Sequence, residues 1–146
     1  MFTRRVCSRI AIPLLFGTTI AAGAVAQPAP PNADAMRGGI EYLNGGIGKG
    51  QADQMRELGP RFPVRMTFSR HNASQGTDEF VADVRLRVTD SAGKTVVDLA
   101  SQGPIFLLRV PAGSYSVEAQ HNGEVKTHRF EVAPGRHDNL AFSWAG

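Results

Sequence analysis

Residues 107–120 combine an apolar run, a turn and an alternating run, and similar units recur along the second half of the chain. The apolar run ends in Val110-Pro111-Ala112-Gly113, and apolar and polar residues alternate from Tyr115 onward. Proline presets φ at the first turn position, and glycine adopts backbone conformations that other residues resist. The stretch therefore predicts two strands joined by a tight turn, with Tyr115 anchoring the returning strand in the core.

Turn residues separate seven predicted strands between residue 62 and residue 146. The strands are predicted near residues 64–68, 84–89, 95–100, 105–110, 115–120, 125–133 and 140–144. Asn122-Gly123 is the strongest hairpin signal, because both central residues of a type I′ turn need positive φ. Residues 71–78 are polar and predict a loop, whereas residues 105–110 are mostly apolar, as in a central strand. The pattern is typical of an all-β sandwich or small barrel, and without βαβ spacing we expect no parallel sheet.

The segment ahead of these strands differs in composition. Residues 27–37 are rich in proline, alanine and asparagine and predict a linker, and residues 38–50 contain six glycines. Residues 51–58 are the one helical candidate, with Gly59-Pro60 as its end. We therefore assign the linker, glycine-rich segment and short helix to residues 27–61, and the β-sandwich domain to residues 62–146.

Residues 38–58 are not needed to build a sandwich, so we consider them the place to look for function. Their apolar side chains either cap an open end of the sandwich or dock onto a partner. These side chains are Ile40, Tyr42, Leu43 and Met55, and Ala52, Met55 and Leu58 share one helix face.

Residues 1–26 have the pattern of a cleaved signal peptide. Three arginines precede an uncharged run over residues 10–25, which ends at the cleavage signal Ala24-Val25-Ala26. The run is shorter than the roughly 20 apolar residues that span a bilayer, so we expect no anchor after cleavage. We predict a periplasmic or secreted protein exported by the general secretory route. The twin-arginine route is less favoured, because bulky apolar residues do not follow Arg5.

Removal of this leader changes the charge of the chain. The full sequence has 16 Lys and Arg against 13 Asp and Glu, and the leader holds three arginines and no acid, so the mature chain has 13 of each. A balanced charge gives no support for nucleic-acid binding, which needs a clustered basic excess. Cys7 leaves with the leader, so we expect neither disulfides nor thiolate chemistry.

Two blocks of the predicted strands resemble the carboxypeptidase regulatory-like domain, a transthyretin-like β-sandwich. Residues 84–94 resemble that family's strand and D-x-x-G-K turn, and residues 108–117 resemble its L-P-x-G-x-Y-x-V motif. The resemblance covers the 85 residues from Phe62 onward, and the mature chain is similar to small exported bacterial proteins that carry only this module. It implies an all-β, seven-stranded antiparallel β-sandwich of transthyretin-like or immunoglobulin-like type. In the larger family, the module is an accessory domain implied to help folding or binding.

Motifs for catalysis fail on inspection. Residues 45–50 include Gly48-Lys49, but Leu43 and Gly50 stand where a phosphate loop needs glycine and Ser or Thr. None of the serines considered as nucleophiles has a G-x-S-x-G context; these are Ser69, Ser114 and Ser143. The transthyretin-like fold hosts a hydroxyisourate hydrolase family that ends in a Tyr-Arg-Gly-Ser-type tail. This chain ends in residues 142–146, Phe-Ser-Trp-Ala-Gly, so that activity is not supported.

Metal-binding patterns are also missing from the sequence. The histidines form no H-x-H or H-E-x-x-H arrangement; they are His71, His121, His128 and His137. A two-residue hairpin would pair His121 with Glu124 and His128 with Val117, and a pairing of His137 with His71 stays open. The acids Asp78, Glu79 and Asp83 lack the dense pattern of a calcium loop, so we interpret them as solvated charges.

Arginines offer a further candidate surface. If their strands are neighbours, Arg65, Arg85, Arg87 and Arg109 form a basic stripe that suits an acidic peptide, a sugar acid or a lipopolysaccharide phosphate. The favoured alternative is a solvated sheet face, neutralised by Asp83, Glu118 and Glu131. Similarly, Tyr42, Phe142 and Trp144 form either a sugar-stacking platform or, as we favour, core residues of a closing strand.

These observations favour a non-enzymatic exported β-sandwich module that binds or scaffolds an envelope partner, either a protein or a glycan. No residue is assigned to catalysis, to a cofactor or to a metal, and we expect no nucleic-acid partner. The alternative is a small-ligand or metal-binding periplasmic protein that uses His71, His128 or His137. A hydrolase is the third and least favoured class.

Overall fold

A computed structural model describes residues 40–146 of the chain. Nine strands, one α-helix and one 3-10 turn make up this part of the chain. The strands are β1 (Glu41–Gly45), β2 (Val64–Asn72), β3 (Thr77–Phe80), β4 (Arg85–Asp90), β5 (Thr95–Ala100), β6 (Ile105–Arg109), β7 (Gly113–His121), β8 (Glu124–Val132) and β9 (Asp138–Ala145). The helix α1 spans Lys49–Leu58, and the 3-10 turn spans Gly59–Arg61. The all-β prediction is confirmed.

The strands form two sheets that pack face to face. The five-stranded sheet has the order β1-β6-β2-β3, with β9 beside β2, and the four-stranded sheet has the order β5-β4-β7-β8. Alternate residues of each strand point into the core, as in β2, where Val64, Met66 and Phe68 are fully buried. Leu86 and Val88 of β4 enter the same core from the opposite sheet. The fold is therefore a β-sandwich.

The connection at Pro111 differs from the predicted hairpin. Strand β6 lies between β1 and β2 in the five-stranded sheet, whereas β7 lies between β4 and β8 in the other sheet. The prediction of two paired strands over residues 107–120 is therefore wrong, because this turn carries the chain from one sheet to the other. The prediction of a central strand is confirmed, since Phe106 and Leu107 of β6 are both buried although they face opposite sides.

One pair of strands is parallel, which the sequence did not lead us to expect. Strand β9 runs parallel to β2 from Val64 opposite Asp138 to His71 opposite Ala145. The hairpin at Asn122-Gly123 agrees with the prediction, because both residues have positive φ and His121 pairs with Glu124.

The described residues contain two strands more than the seven that were predicted. The predicted polar loop over residues 71–78 comprises the end of β2, a turn over residues 73–76 and the beginning of β3, with His71 opposite Asp78. Strand β1 pairs with β6 along its whole length. The five-stranded sheet therefore includes residues 41–45, which lie ahead of the predicted boundary at residue 62.

The helix lies on the outer face of the five-stranded sheet. Met55 is fully buried and forms a second, smaller apolar cluster with Phe62, Ile105 and Leu107. The predicted helix over residues 51–58 is confirmed, with its end at Gly59. Residues 40–58 therefore do not cap an open end of the sandwich. Tyr42 stacks on Phe106 in the main core, with ring centroids 5.4 Å apart, and the helix covers a sheet face.

Two predictions lie outside the described residues. These are the signal peptide over residues 1–26 and the linker that follows it, up to residue 39. Within residues 40–146, the helix is too short to span a membrane.

Candidate functional site

A cleft of about 340 Å³ lies where the end of α1 and the 3-10 turn meet the beginning of β2 and β9. Parallel pairing of these two strands sets Arg65 beside Asn139 and Val64 beside Asp138. The polar and ring side chains that line the cleft are Arg56, Pro60, Arg65, His137, Asp138 and Asn139. The cleft therefore depends on the helix and on the parallel strand pair together.

Arg65 is the central charge of this cleft. It points away from the core on β2, between Leu107 of β6 and Asn139 of β9. Its Nε atom is screened from water and forms no hydrogen bond within residues 40–146. Among the described residues no carboxylate lies within ion-pair distance of Arg65. Because a guanidinium has five N–H donors, Arg65 can still bind an acceptor that enters the cleft.

Most other arginines of the described residues have an acidic partner, although Arg61 and Arg129, like Arg65, have none within ion-pair distance. Arg56, at the rim of the cleft, contacts Asp53 at 2.6 Å one helix turn away. Arg70 contacts Glu79 at 2.7 Å, and Arg109 contacts Glu41 at 2.6 Å. Arg65 has no such partner, although it lies in the same sheet as Arg70 and Arg109.

His137 is held in one tautomer by the backbone. Its Nδ1 lies 3.1 Å from the carbonyl oxygen of Phe62. A carbonyl oxygen only accepts hydrogen bonds, so Nδ1 carries the hydrogen. The Nε2 atom of the neutral ring is therefore an acceptor, and the ring itself is exposed.

Asp138 also lines the cleft, at the strand position opposite Val64. Its Oδ1 accepts a hydrogen bond from Nε of Arg136 at 3.0 Å, and its backbone N–H donates to the carbonyl oxygen of Pro63 at 2.8 Å. The side-chain hydrogen bond, followed by the charge of the same carboxylate, raises the pKa of Arg136 above its ordinary value. Besides Arg65, the cleft thus presents the guanidinium of Arg56, the imidazole of His137 and the amide of Asn139.

Phe62 and Arg109 brace the wall of the cleft. Phe62 is buried, with 4% of its surface exposed, and the guanidinium carbon of Arg109 lies 4.9 Å from the centre of its ring. Arg109 also donates a hydrogen bond to the carbonyl oxygen of Arg61. These contacts hold the 3-10 turn against the five-stranded sheet.

The remaining histidines lie elsewhere. His71 contacts Asp78 at 2.8 Å near the far end of β2, about 23 Å along the strand from the cleft. The suggested pairing of His71 with His137 is therefore wrong. The rings of His121 and His128 pack on Trp144 and Phe142, at centroid distances of 5.4 Å and 4.9 Å. No group of three potential metal ligands occurs in the part of the chain that the structure describes.

The basic stripe, which was the less favoured interpretation, does not form over all four arginines. Arg65 and Arg109 belong to the five-stranded sheet, whereas Arg85 and Arg87 lie on the outer face of the four-stranded sheet. These two arginines share Asp98, at 3.3 Å and 3.6 Å. The alternative of a solvated, charge-paired face is supported, with Asp98 as the partner instead of the expected acids.

The acids and aromatic residues considered from the sequence have structural roles. Asp83 has a φ of 58° and precedes β4 instead of lying in it. Its N–H donates to the carbonyl oxygen of Ser101 at 2.8 Å. Phe142 and Trp144 are core residues, 1% and 2% exposed, which confirms the interpretation as a closing strand.

The glycine-rich loop is hydrogen-bonded to a side chain of the helix that follows it. The backbone N–H groups of Gly46 and Ile47 donate to Oε1 of Gln51, at 3.0 Å and 2.9 Å. These two N–H groups are therefore already bonded to Gln51 and do not point to a ligand site. The serines are also explained by the fold, since Ser69 donates to the carbonyl oxygen of Phe142 at 3.4 Å and Ser114 lies within β7.

A larger groove, of about 660 Å³, runs over β7 and β8. Two acids and two arginines line it, and their charges balance: Asp90, Glu131, Arg129 and Arg136. Asp90 accepts the N–H groups of Ala92 and Lys94 at 3.0 Å and 2.9 Å. The groove lies on a solvated sheet face, so the cleft at Arg65 is the stronger candidate.

No protein-family model matches the chain, and no curated protein matches it. Solved structures that are similar to it include the following two. The 5-hydroxyisourate hydrolase of Klebsiella pneumoniae is 17% identical over 56% of this chain and 90% of its own length, with a TM-score of 0.40. Transthyretin from Sparus aurata is 22% identical over 57% of this chain and 88% of its own length, with a TM-score of 0.41. The sandwich assignment rests on the strand pairing of the chain itself.

Proposed function

We propose that the protein is a non-enzymatic, exported β-sandwich module that binds a partner in the cell envelope, either a protein or a glycan. The observation that carries this proposal is the cleft at Arg65. An arginine without an acidic partner lies there between a helix and a sheet that pack rigidly against each other. Concave sites with a few convergent polar groups are the usual binding sites of proteins.

The assignment to a non-enzymatic class is supported by the residues of the cleft. None of the described side chains that line it belongs to serine, threonine, cysteine, lysine or tyrosine. Covalent catalysis commonly uses one of these groups, activated by a neighbouring base. The remaining candidate nucleophiles are Asp138, which is bound to Arg136, and His137, whose Nδ1 is bound to the carbonyl oxygen of Phe62. The cleft is therefore better suited to binding than to turnover.

We also propose that the chain is a carboxypeptidase regulatory-like module. The supporting motif is Pro111-Ala112-Gly113-Ser114-Tyr115, in which Tyr115 donates a hydrogen bond to the carbonyl oxygen of Pro111 at 2.6 Å. Folding alone accounts for this motif, since it fixes the passage between the two sheets. The part of the chain that resembles the family is thus separate from the part that we assign to binding.

Partner capture tests the proposed function. The immobilised purified protein is incubated with envelope extract and with a glycan array, in parallel with Arg65→Gln and Arg87→Gln variants. Arg87 is the matched control, because it lies on the exposed face of β4 in the opposite sheet and contacts Asp98. We expect a protein or glycan that binds the parent and Arg87→Gln proteins and is lost with Arg65→Gln. Equal capture by all three proteins would refute a function at this cleft.

Enzyme assays test the non-enzymatic assignment. Because one similar structure is named as a 5-hydroxyisourate hydrolase, the panel includes that compound together with esters, peptides and glycosides. We expect no turnover above the rate of the heat-denatured protein. Turnover that Arg65→Gln or His137→Gln abolishes would make the protein an enzyme.

The N-terminus of the protein tests the proposed export directly. Mass spectrometry of the protein from the periplasmic fraction should give an N-terminus at Gln27, the first residue after the predicted cleavage signal. An intact N-terminus at Met1 in the cytoplasmic fraction would contradict it.

A further inference from the structure

We infer that the cleft binds a hexuronate, which is a single sugar ring that carries a carboxylate, with Arg65 as the residue that binds the carboxylate. This inference rests on the proposed binding function and names the ligand class of the same site. A carboxylate can accept two parallel hydrogen bonds from one guanidinium, and such charge-assisted bonds are stronger than neutral ones. Within residues 40–146, no carboxylate of the chain lies within ion-pair distance of Arg65.

Acceptors in the cleft favour a sugar acid over a simple inorganic anion. His137 and Asn139 line the cleft beside Arg65. The ring of His137 offers Nε2 as an acceptor, since its Nδ1 is bound to the carbonyl oxygen of Phe62, and the amide of Asn139 supplies both donors and an acceptor. A sulfate ion has no hydrogen to donate to such acceptors, whereas sugar hydroxyl groups can donate to both.

The size of the cleft limits the ligand to about one ring. Its volume of about 340 Å³ lies at the lower end of the range of small-molecule sites. The lining combines uncharged groups, from Gly59, Pro60 and Phe62, with the guanidinium of Arg65. An amphipathic ring with a single carboxylate suits such a mixed lining.

The binding groups are held in place before a ligand enters. The Phe62 carbonyl orients His137, the ion pair with Asp53 restrains Arg56, and neighbouring strands flank Arg65 on both sides. Preorganised groups lose less conformational entropy on binding. The arrangement therefore favours a specific ligand over loose association with any anion.

Isothermal titration calorimetry of the purified protein with glucuronate, glucose and inorganic phosphate tests the inference. Glucose has the same ring without the carboxylate, and phosphate has the charge without the ring. We expect glucuronate to bind at least tenfold more tightly than either. Equal affinity for glucose would exclude the role of Arg65, and equal or tighter binding of phosphate would reduce the cleft to a general anion site.

Two variants connect the binding to this cleft. Arg65→Gln removes the cation, and Asn139→Asp places a carboxylate beside Arg65 across the parallel pair while it preserves the shape of an exposed side chain. We expect each to weaken glucuronate binding at least tenfold, whereas Arg87→Gln leaves it unchanged. If Arg65→Gln does not fold, as judged by its thermal melting curve, Asn139→Asp decides the question. Unchanged binding in Asn139→Asp would overturn the inference.

The outcomes separate this inference from the proposed function. Loss of partner capture in Arg65→Gln, without binding of glucuronate to the parent protein, would leave the binding function in place and refute the ligand class. Glucuronate binding that survives in both cleft variants would refute the site.

Discussion

The hydroxyl group of Tyr115 donates a hydrogen bond to the carbonyl oxygen of Pro111 at 2.6 Å, where the chain passes from the five-stranded sheet to the four-stranded sheet. The ring of Tyr115 stacks on Phe130 in the core, with centroids 5.5 Å apart. One side chain thus links the crossing segment to the strand that follows it and to the interior of the sandwich.

Substitution Tyr115→Phe should lower the free energy of unfolding by about 1 kcal/mol, the usual contribution of one hydrogen bond. The ring and its packing remain, so the loss reports the bond to Pro111. Urea denaturation measures it. Tyr42→Phe is the matched control, because Tyr42 also stacks on a core ring and its hydroxyl forms no hydrogen bond that we observe within residues 40–146. An equal loss of unfolding free energy in Tyr115→Phe and Tyr42→Phe would show that the hydrogen bond to Pro111 does not stabilise the protein.

Alkaline pH should destabilise the protein through the same side chain. Burial, and to a smaller extent the charge of Asp90, raises the pKa of Tyr115 above its ordinary value of 10.0. The unfolded chain therefore loses this proton first, so stability is retained below pH 10 and falls as the pH rises through the folded-state pKa. Urea midpoints measured above pH 10 should fall more steeply for the parent protein than for Tyr115→Phe. Parallel pH curves would contradict the raised pKa.

Gly103 should tolerate no side chain. A Cβ atom at this position would overlap the carbonyl oxygen of Gly45, which is backbone and cannot rotate away. We expect Gly103→Ala to cost about 3 kcal/mol, at the upper end of the usual cost of overpacking. Gly50→Ala is the control, since nothing lies within 4 Å of its added Cβ and alanine is favoured in a helix by up to about 1 kcal/mol. Thermal melting of the two variants should shift in opposite directions.

The helix should contribute to the stability of the sandwich. Met55 is fully buried against Ile105 and Leu107, so Met55→Ala should cost about 2–5 kcal/mol in urea denaturation. Glu57→Ala, on the exposed face of the same helix, should change stability by about 0.5 kcal/mol at most. A negligible effect of Met55→Ala would mean that the helix is a separable docking arm.

Local patterns predicted the strands better than their arrangement. Alternation located β4, β7 and β9, because one face of each strand is buried and the other is exposed. The sheet to which a strand belongs is not visible in such a pattern, since a turn such as Pro111-Ala112-Gly113 serves a hairpin and a crossing between sheets equally well. Strand β1 was missed because glycines surround it, and β3 because its residues are mostly polar.

The cleft was only partly visible in the sequence. Arg65 and His137 were both considered, but Arg65 was grouped mainly with the arginines of β4 in the other sheet, and His137 with a distant histidine. Their proximity depends on the parallel pairing of β2 with β9, which joins residues more than 70 positions apart. Asn139 carried no signal of its own, because an asparagine near a turn is ordinarily explained by the turn.

Backbone amide chemical shifts of the isotopically labelled protein, recorded during a titration with glucuronate, show whether the ligand binds at Arg65. We expect saturable shifts concentrated at Gly59, Arg65 and Asn139, with Arg87 on the opposite sheet unchanged. Shifts centred on Ser116 and Arg129 in the groove over β7 and β8, or no shifts at a high excess of glucuronate, would contradict this expectation.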